Sequence, residues 1–127
     1  TGNQLVCSVA LENINLFKKK HLIGHIQKTS QTLKQRLEAL QPHKNIGDIR
    51  GRGLMYGVEL VENKSTQTPL DIPTVELIIR RCKENGLMIR NLENVITFVP
   101  ILSMSNKEIK KMVKIFDKAL HQTLSKK

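Results

Sequence analysis

One guanidinium in this 127-residue chain stands where chemistry could be done. Arg90 follows the apolar run Leu87-Met88-Ile89, itself preceded by Gly86. After it come the polar stretch from Asn91 to Asn94 and a second apolar run of Val95, Ile96, Phe98 and Val99. The pattern predicts two short strands joined by a tight turn over 91–94. Arg90 is expected to close the first strand, where the chain leaves the sheet. An arginine stays charged and offers a planar fork of donors that suits a carboxylate or a phosphate. The chemistry available is therefore a grip on an anionic substrate group. A solvated strand-end arginine is the competing reading, and position alone favours it, because most surface arginines do nothing specific.

Other chemistry-bearing residues fall short of a site. No nucleophile, base and orienting group stand at a recognisable spacing, so no residue of this chain is assigned a catalytic role. Gly51 and Gly53 have a spacing superficially like a phosphate-cradling loop. They lack the Lys-Ser/Thr ending, and a strand rather than a helix follows them, which argues against nucleotide binding. His21, His25 and His43 share no metal-ligand spacing with a carboxylate cluster; they read as surface histidines, and no metal site is assigned. Cys7 and Cys82 read as reduced, core-type thiols of a cytoplasmic protein.

The elements that must position Arg90 follow from periodicity. Residues 3–20 predict a helix, with Leu5, Val9 and Leu16 about one turn apart. It opens so abruptly that further sequence upstream is expected, and its apolar face is a hazard for non-native association. Residues 21–41 predict a second helix, with Leu22, Ile26, Leu33, Leu37 and Leu40 on one side, ended by Pro42. Ile46 and Ile49 mark a short strand, and Leu54 to Val61 a second with Leu54, Tyr56, Val58 and Leu60 on one face. Residues 62–70 read as a surface loop. Asp71 or Thr74 can cap the next helix, whose buried side is Val75, Leu77, Ile78, Ile79 and Cys82 and which Gly86 ends. After the Arg90 hairpin, Ser105 to Glu108 form a capping box. They open a closing helix striped by Ile109, Met112, Val113, Phe116, Ala119, Leu120 and Leu124. The fold class is α+β: a small, largely antiparallel sheet covered on one face by helices.

Composition sets the outer bounds. The chain is 39% hydrophobic and 25% charged, ordinary for one globular domain. Its formal net charge of +10 raises a nucleic-acid hypothesis. Only Tyr56, Phe17, Phe98 and Phe116 are aromatic, too few for a base-stacking platform. Lys107, Lys110, Lys111, Lys114 and Lys118 are expected to be the wet face of the closing helix, and Lys126 and Lys127 a tail. Neither nucleic acid nor membrane is expected as a partner: base-reading motifs are absent and net charge alone is weak evidence, and no run is long enough to span a bilayer. A non-catalytic basic module stays open, and a salt-dependent shift with duplex DNA would support it.

Longer patterns carry a resemblance. Thr1-Gly2-Asn3-Gln4-Leu5, Ala10-Leu11-Glu12-Asn13, and Gly47-Asp48-Ile49-Arg50-Gly51-Arg52-Gly53-Leu54-Met55 with Gly57-Val58-Glu59-Leu60 resemble the C-terminal part of class III pyridoxal-phosphate aminotransferases. The segment from Leu87 to Ile96 is most similar to the biotin-synthesis branch of that family. The likeness implies a parent that is a homodimeric transaminase, moving an amino group from a small-molecule donor to the keto acid 7-keto-8-aminopelargonate. It implies that residues 1–42 are helices leading out of a large domain, and 43–127 the small C-terminal domain. The fold implied is that of the small domain of fold-type I enzymes. The lysine that forms the Schiff base lies upstream of Thr1 in the family, so this chain alone is expected to be inactive and to bind no pyridoxal 5′-phosphate.

Residue by residue, Arg90 matches the arginine that takes the acceptor carboxylate. Thr97 falls at a substrate-side position where some members carry a tyrosine, leaving S-adenosylmethionine or lysine open as donor. Thr1 and Gly2 match a loop passing near the cofactor phosphate. Pro100-Ile101 replaces a Pro-Pro pair of many members. A sibling transaminase acting on ornithine, 4-aminobutyrate or a similar ω-amine would share nearly every motif.

Overall fold

The computed structural model describes residues 2–124. Thr1, Lys126 and Lys127, singled out above, lie outside the described residues. Helix α1 (Gln4–Lys19) and helix α2 (Leu22–Glu38) are followed by strands β1 (Ile46–Arg52), β2 (Met55–Asn63) and the two-residue β3 (Thr68–Pro69). Then come α3 (Ile72–Glu84), β4 (Arg90–Leu92), β5 (Val95–Phe98) and α4 (Asn106–Leu124). The strands are ordered β1-β2-β5-β4, every neighbour antiparallel, with β3 paired to the end of β2. The expected loop at 62–70 therefore contains a short strand, because the chain turns back far enough for Val61 and Asn63 to pair with Pro69 and Thr68.

Alternation decides which face is covered. Tyr56, Val58 and Leu60 on β2, and Ile96 and Phe98 on β5, are buried. They meet Leu33 and Leu37 of α2, Val75, Ile78 and Cys82 of α3, and the whole predicted stripe of α4 in one core. Phe98 and Phe116 cross edge-to-face at 5.2 Å between sheet and helix, a favoured aromatic geometry. Leu77 and Ile79 are only half-buried, so the buried side of α3 is narrower than expected.

Helix ends follow local chemistry. Asp71 caps α3 by accepting from the Thr74 amide at 3.0 Å. At its far end the Gly86 amide donates to the Lys83 carbonyl and the Leu87 amide to the Cys82 carbonyl, a Schellman closure with Gly86 at φ +85°. The capping box of α4 forms in full: the Glu108 carboxylate accepts from the Ser105 amide at 2.8 Å and hydroxyl at 2.6 Å. These bonds hold the Glu108 carboxyl below its ordinary pKa.

α1 behaves differently. None of its residues is buried, and Leu5, Val6, Val9, Leu11 and Ile14 are all more than half exposed. Cys7 is exposed with them, correcting its expected core role; Cys82 is buried, and desolvation pushes its thiol up to about 11.

Two buried asparagines fasten the end of β2. Asn45 exchanges backbone and side-chain hydrogen bonds with Val61, and Asn94 does the same with Leu60. Each supplies a donor and an acceptor where the neighbouring strand has run out, so the buried backbone groups stay paired.

Candidate functional site

Arg90 opens β4 rather than closing a strand. The expected strand over 87–89 does not join the ladder, because the Leu87 amide is already committed to the end of α3. Leu87 and Ile89 still pack against the core, which is why the sequence reads as apolar strand there. The turn is correspondingly tighter than expected: Asn91 and Leu92 pair with Ile96 and Val95, leaving Glu93-Asn94 as the loop. Glu93 takes a positive φ of +52°.

Arg90 pairs directly across the ladder with Thr97, and the Thr97 hydroxyl donates to the Arg90 carbonyl at 3.1 Å. Paired residues of an antiparallel ladder project to the same side. The row continues from Thr97 to Gly57 and from Gly57 to Arg50, so two arginines stand on one row of the sheet face opposite the core. Gly57, with no side chain, lies between Arg50 and Thr97. Sequence reasoning missed this row; strand alternation alone would have found Arg50 and Gly57 on one face.

The two guanidiniums are differently engaged. Arg50 is held by Glu59 and by Asp48 at 2.9 Å, and these bonds, Glu59 first, raise its pKa. Arg90 is exposed and makes no ion pair among the described residues. Its donor fork is open to an incoming anion.

A groove of about 450 Å³ runs beside it. Arg90 and Thr97 line it together with Leu87, Met88, Ile89 and the segment Phe98 to Ile101, and Met104 and Met112 come from the α4 side. That volume is in the range of small-molecule sites, about 300–1,000 Å³. His25 Nε2 donates to the Met104 carbonyl at 3.0 Å, tying this wall to α2.

The expected surface histidines are thus more engaged than their spacing implied. His25 is half-buried. His43 is half-buried too, its ring edge-on to His121 at 5.1 Å, and burial followed by His121 and nearby lysines lowers its pKa. His21 takes a left-handed backbone immediately before α2.

Of the two residues matched to the cofactor loop, Thr1 lies outside the described residues. Gly2 is exposed at the start of α1, with φ +81° and open space where a first side-chain carbon would stand. That is an open turn, not a cradle closed over a phosphate. Gly2 is not among the residues lining the Arg90 groove.

Residues 1–120 match the family described as aminotransferase class-III. The chain belongs to that family. It is 66% identical over its whole length to a Staphylococcus aureus protein named adenosylmethionine-8-amino-7-oxononanoate aminotransferase. It superposes on the crystal structure of the Methanocaldococcus jannaschii protein of the same name with a TM-score of 0.91, at 35% identity over 98% of this chain. A thermostable omega transaminase from Pseudomonas jessenii is also similar, with a TM-score of 0.87 at 29% identity over 92% of the chain. The class-III chain spans 28% of the Staphylococcus aureus relative, 29% of the Methanocaldococcus jannaschii structure and 26% of the omega transaminase. The α+β class read from periodicity agrees with these structures and with the observed sheet.

Proposed function

We propose that this chain is the acceptor-side, C-terminal part of a pyridoxal-phosphate aminotransferase of biotin synthesis. The intact enzyme transfers an amino group from a small-molecule donor to 7-keto-8-aminopelargonate, giving 7,8-diaminopelargonate. The observation carrying this reading is the open Arg90 guanidinium beside an apolar groove, with the Arg90 backbone carbonyl held by the Thr97 hydroxyl. A carboxylate meets the planar fork in two parallel bonds, which fixes direction as well as affinity. The 66% identity to a protein named for that keto acid supports the choice of acceptor.

In this reading Arg90 binds the acceptor carboxylate, Thr97 lies beside it in the substrate site, and Gly2 and Thr1 lie toward the cofactor. Pyridoxal 5′-phosphate, when bound in the intact enzyme, supplies the electron sink for amine exchange. This chain's residues bind and orient the acid; the chain alone is inactive. Residues 43–127 form the small domain and 1–42 the helices joining it to the rest. The burial of Thr29, Leu33 and Leu37 seats α2 on that domain, whereas α1 contributes nothing to its core. The enzyme works in the cytoplasm as a homodimer.

The test is Arg90→Ala in the intact enzyme. The KM for the keto acid is expected to rise at least tenfold, with the KM for the amino donor little changed, since loss of a charge-assisted pair costs about 1.5–3 kcal/mol. An unchanged keto-acid KM would remove Arg90 from the site. A sibling reading, an ω-amine transaminase, draws support from the omega transaminase likeness. Turnover with each acceptor in parallel separates the two.

A further inference from the structure

We propose that a second groove, between the end of α2 and the first half of α4, is an anion site that takes a small ligand carrying two or more phosphate groups. The proposal does not rest on the aminotransferase reading. This groove has a volume of about 510 Å³ and shares no residue with the one beside Arg90. Arg36 lines it from α2, and Lys110, Lys111 and Lys114 line it from α4, over the apolar side chains of Leu40 and Val113. None of the four cations makes an ion pair among the described residues. Asp117 is the one acid in the lining, and the His121 ring lies 3.1 Å from its carboxylate. The cations also stand against the electrostatics of their own helix. Lys107, Lys110, Lys111 and Lys114 fall in the first half of α4, the end at which a helix carries partial positive charge. Lys107 with Lys111, and Lys110 with Lys114, are like charges four residues apart, which repel. Glu108, the acid among them, is committed to the Ser105 amide and hydroxyl. A bound anion relieves this repulsion from both helices at once.

The class of ligand follows from the lining. No aromatic side chain is in it, so a nucleic-acid base has no platform to stack on. No large apolar side chain of α4 stands exposed, and of α2 only Ile23 does, at the opposite end of that helix from Arg36. A protein partner would find no apolar surface there to form the core of an interface. The volume is that of a small-molecule site, about 300–1,000 Å³. Lysines offer point charges and Arg36 a fork, a combination suited to phosphate oxygens. A phosphate monoester brings about −1.5 to −2 charges near neutral pH, so two of them match the four cations.

The experiment is calorimetric titration of pyrophosphate into the intact holoenzyme at low salt. An Arg90→Ala background removes the other open guanidinium, so the result is independent of the substrate assignment. One pyrophosphate per chain is expected to bind. Lys110→Gln with Lys114→Gln should weaken it at least about fivefold, and Arg36→Gln, on the other helix, at least about threefold. Lys18→Gln with Lys20→Gln removes the same charge elsewhere and should change the affinity less than about twofold. All five side chains are exposed, so none of these changes opens the core. Citrate, whose charge is carried by carboxylates alone, should bind at least about threefold more weakly than pyrophosphate. Absent binding, equal weakening by the two lysine pairs, or an affinity indifferent to Arg36 overturns the site and leaves only the diffuse field of a basic protein. Citrate bound as tightly as pyrophosphate overturns the phosphate assignment.

Discussion

Arg50 and Arg90 carry the same side chain and stand on the same row of the same sheet face, yet their surroundings set them different tasks. Arg50 is paired through Nη1 with Glu59 and Asp48, so it braces β1 against β2. Arg90 has only its backbone fixed, through the Thr97 hydroxyl. That bond suggests a specific outcome in the intact enzyme. Thr97→Val keeps the shape and removes the donor, and a net hydrogen bond is worth about 1 kcal/mol. The keto-acid KM should rise about fivefold with kcat nearly unchanged, and Thr97→Ser should restore it; a Val variant with wild-type KM would show the bond to be idle. Residue type was legible in the sequence, since an arginine flanked by apolar runs announces itself. Its place in the ladder was not. The Leu87 amide is drawn off by the closure of α3, a competition between helix end and strand that apolar periodicity does not register.

At the scale of elements, capping signals were the most legible, because they act over three or four residues. Asp71 and the Ser105–Glu108 box both formed as read. Asp71→Ala should cost about 1 kcal/mol of stability by thermal or urea unfolding. The joint between the α2–β1 turn and α4 was not legible, because His43 and His121 are far apart in the chain. His43 Nδ1 accepts from the Asn45 amide at 3.1 Å, which only an unprotonated nitrogen can do. Around it stand His121 and Asp117 of α4, Lys44 beside it and Lys64 beyond β2. Burial comes first in depressing its pKa below 6.5, then the His121 ring; Asp117 opposes them. The folded state thus favours neutral His43, and the unfolded chain binds the proton more readily. Stability from this group is present above pH 6.5 and is lost as pH falls through the depressed value. Melting midpoints measured downward from neutrality should fall in that window, and His43→Phe, which keeps a ring against His121 but cannot titrate, should flatten the fall. An identical slope in the variant would assign the acid sensitivity elsewhere.

Across the whole molecule, one core gathers the sheet with α2, α3 and α4, while α1 stays outside it. The sequence could not reveal this difference, because α1 and α2 are both amphipathic by spacing and periodicity does not say whether an apolar face finds a partner. Leu33 and Leu37 of α2 are fully buried; of α1, only Phe17 escapes the fully exposed class, where a shallow depression joins it to His21 and Ile23. Helix propensity alone rarely holds a helix of this length in water, so α1 depends on what its apolar face can reach. Two changes to this 127-residue chain should therefore separate sharply. Removing residues 1–20 takes away no buried side chain among the described residues and should leave the cooperative unfolding of the remainder within about 1 kcal/mol of its starting value. Leu33→Ala opens a cavity in the shared core and should cost about 2–5 kcal/mol, a large part of the ~5–15 kcal/mol of a typical domain. Sedimentation of the two forms adds a second readout: the exposed Leu5, Val9 and Leu11 should make the longer chain self-associate and the shorter one stay monomeric. If removing α1 instead destabilised the remainder as much as Leu33→Ala does, α1 would be part of the cooperative unit, and the division into a leading helix and a self-standing α+β body would be wrong.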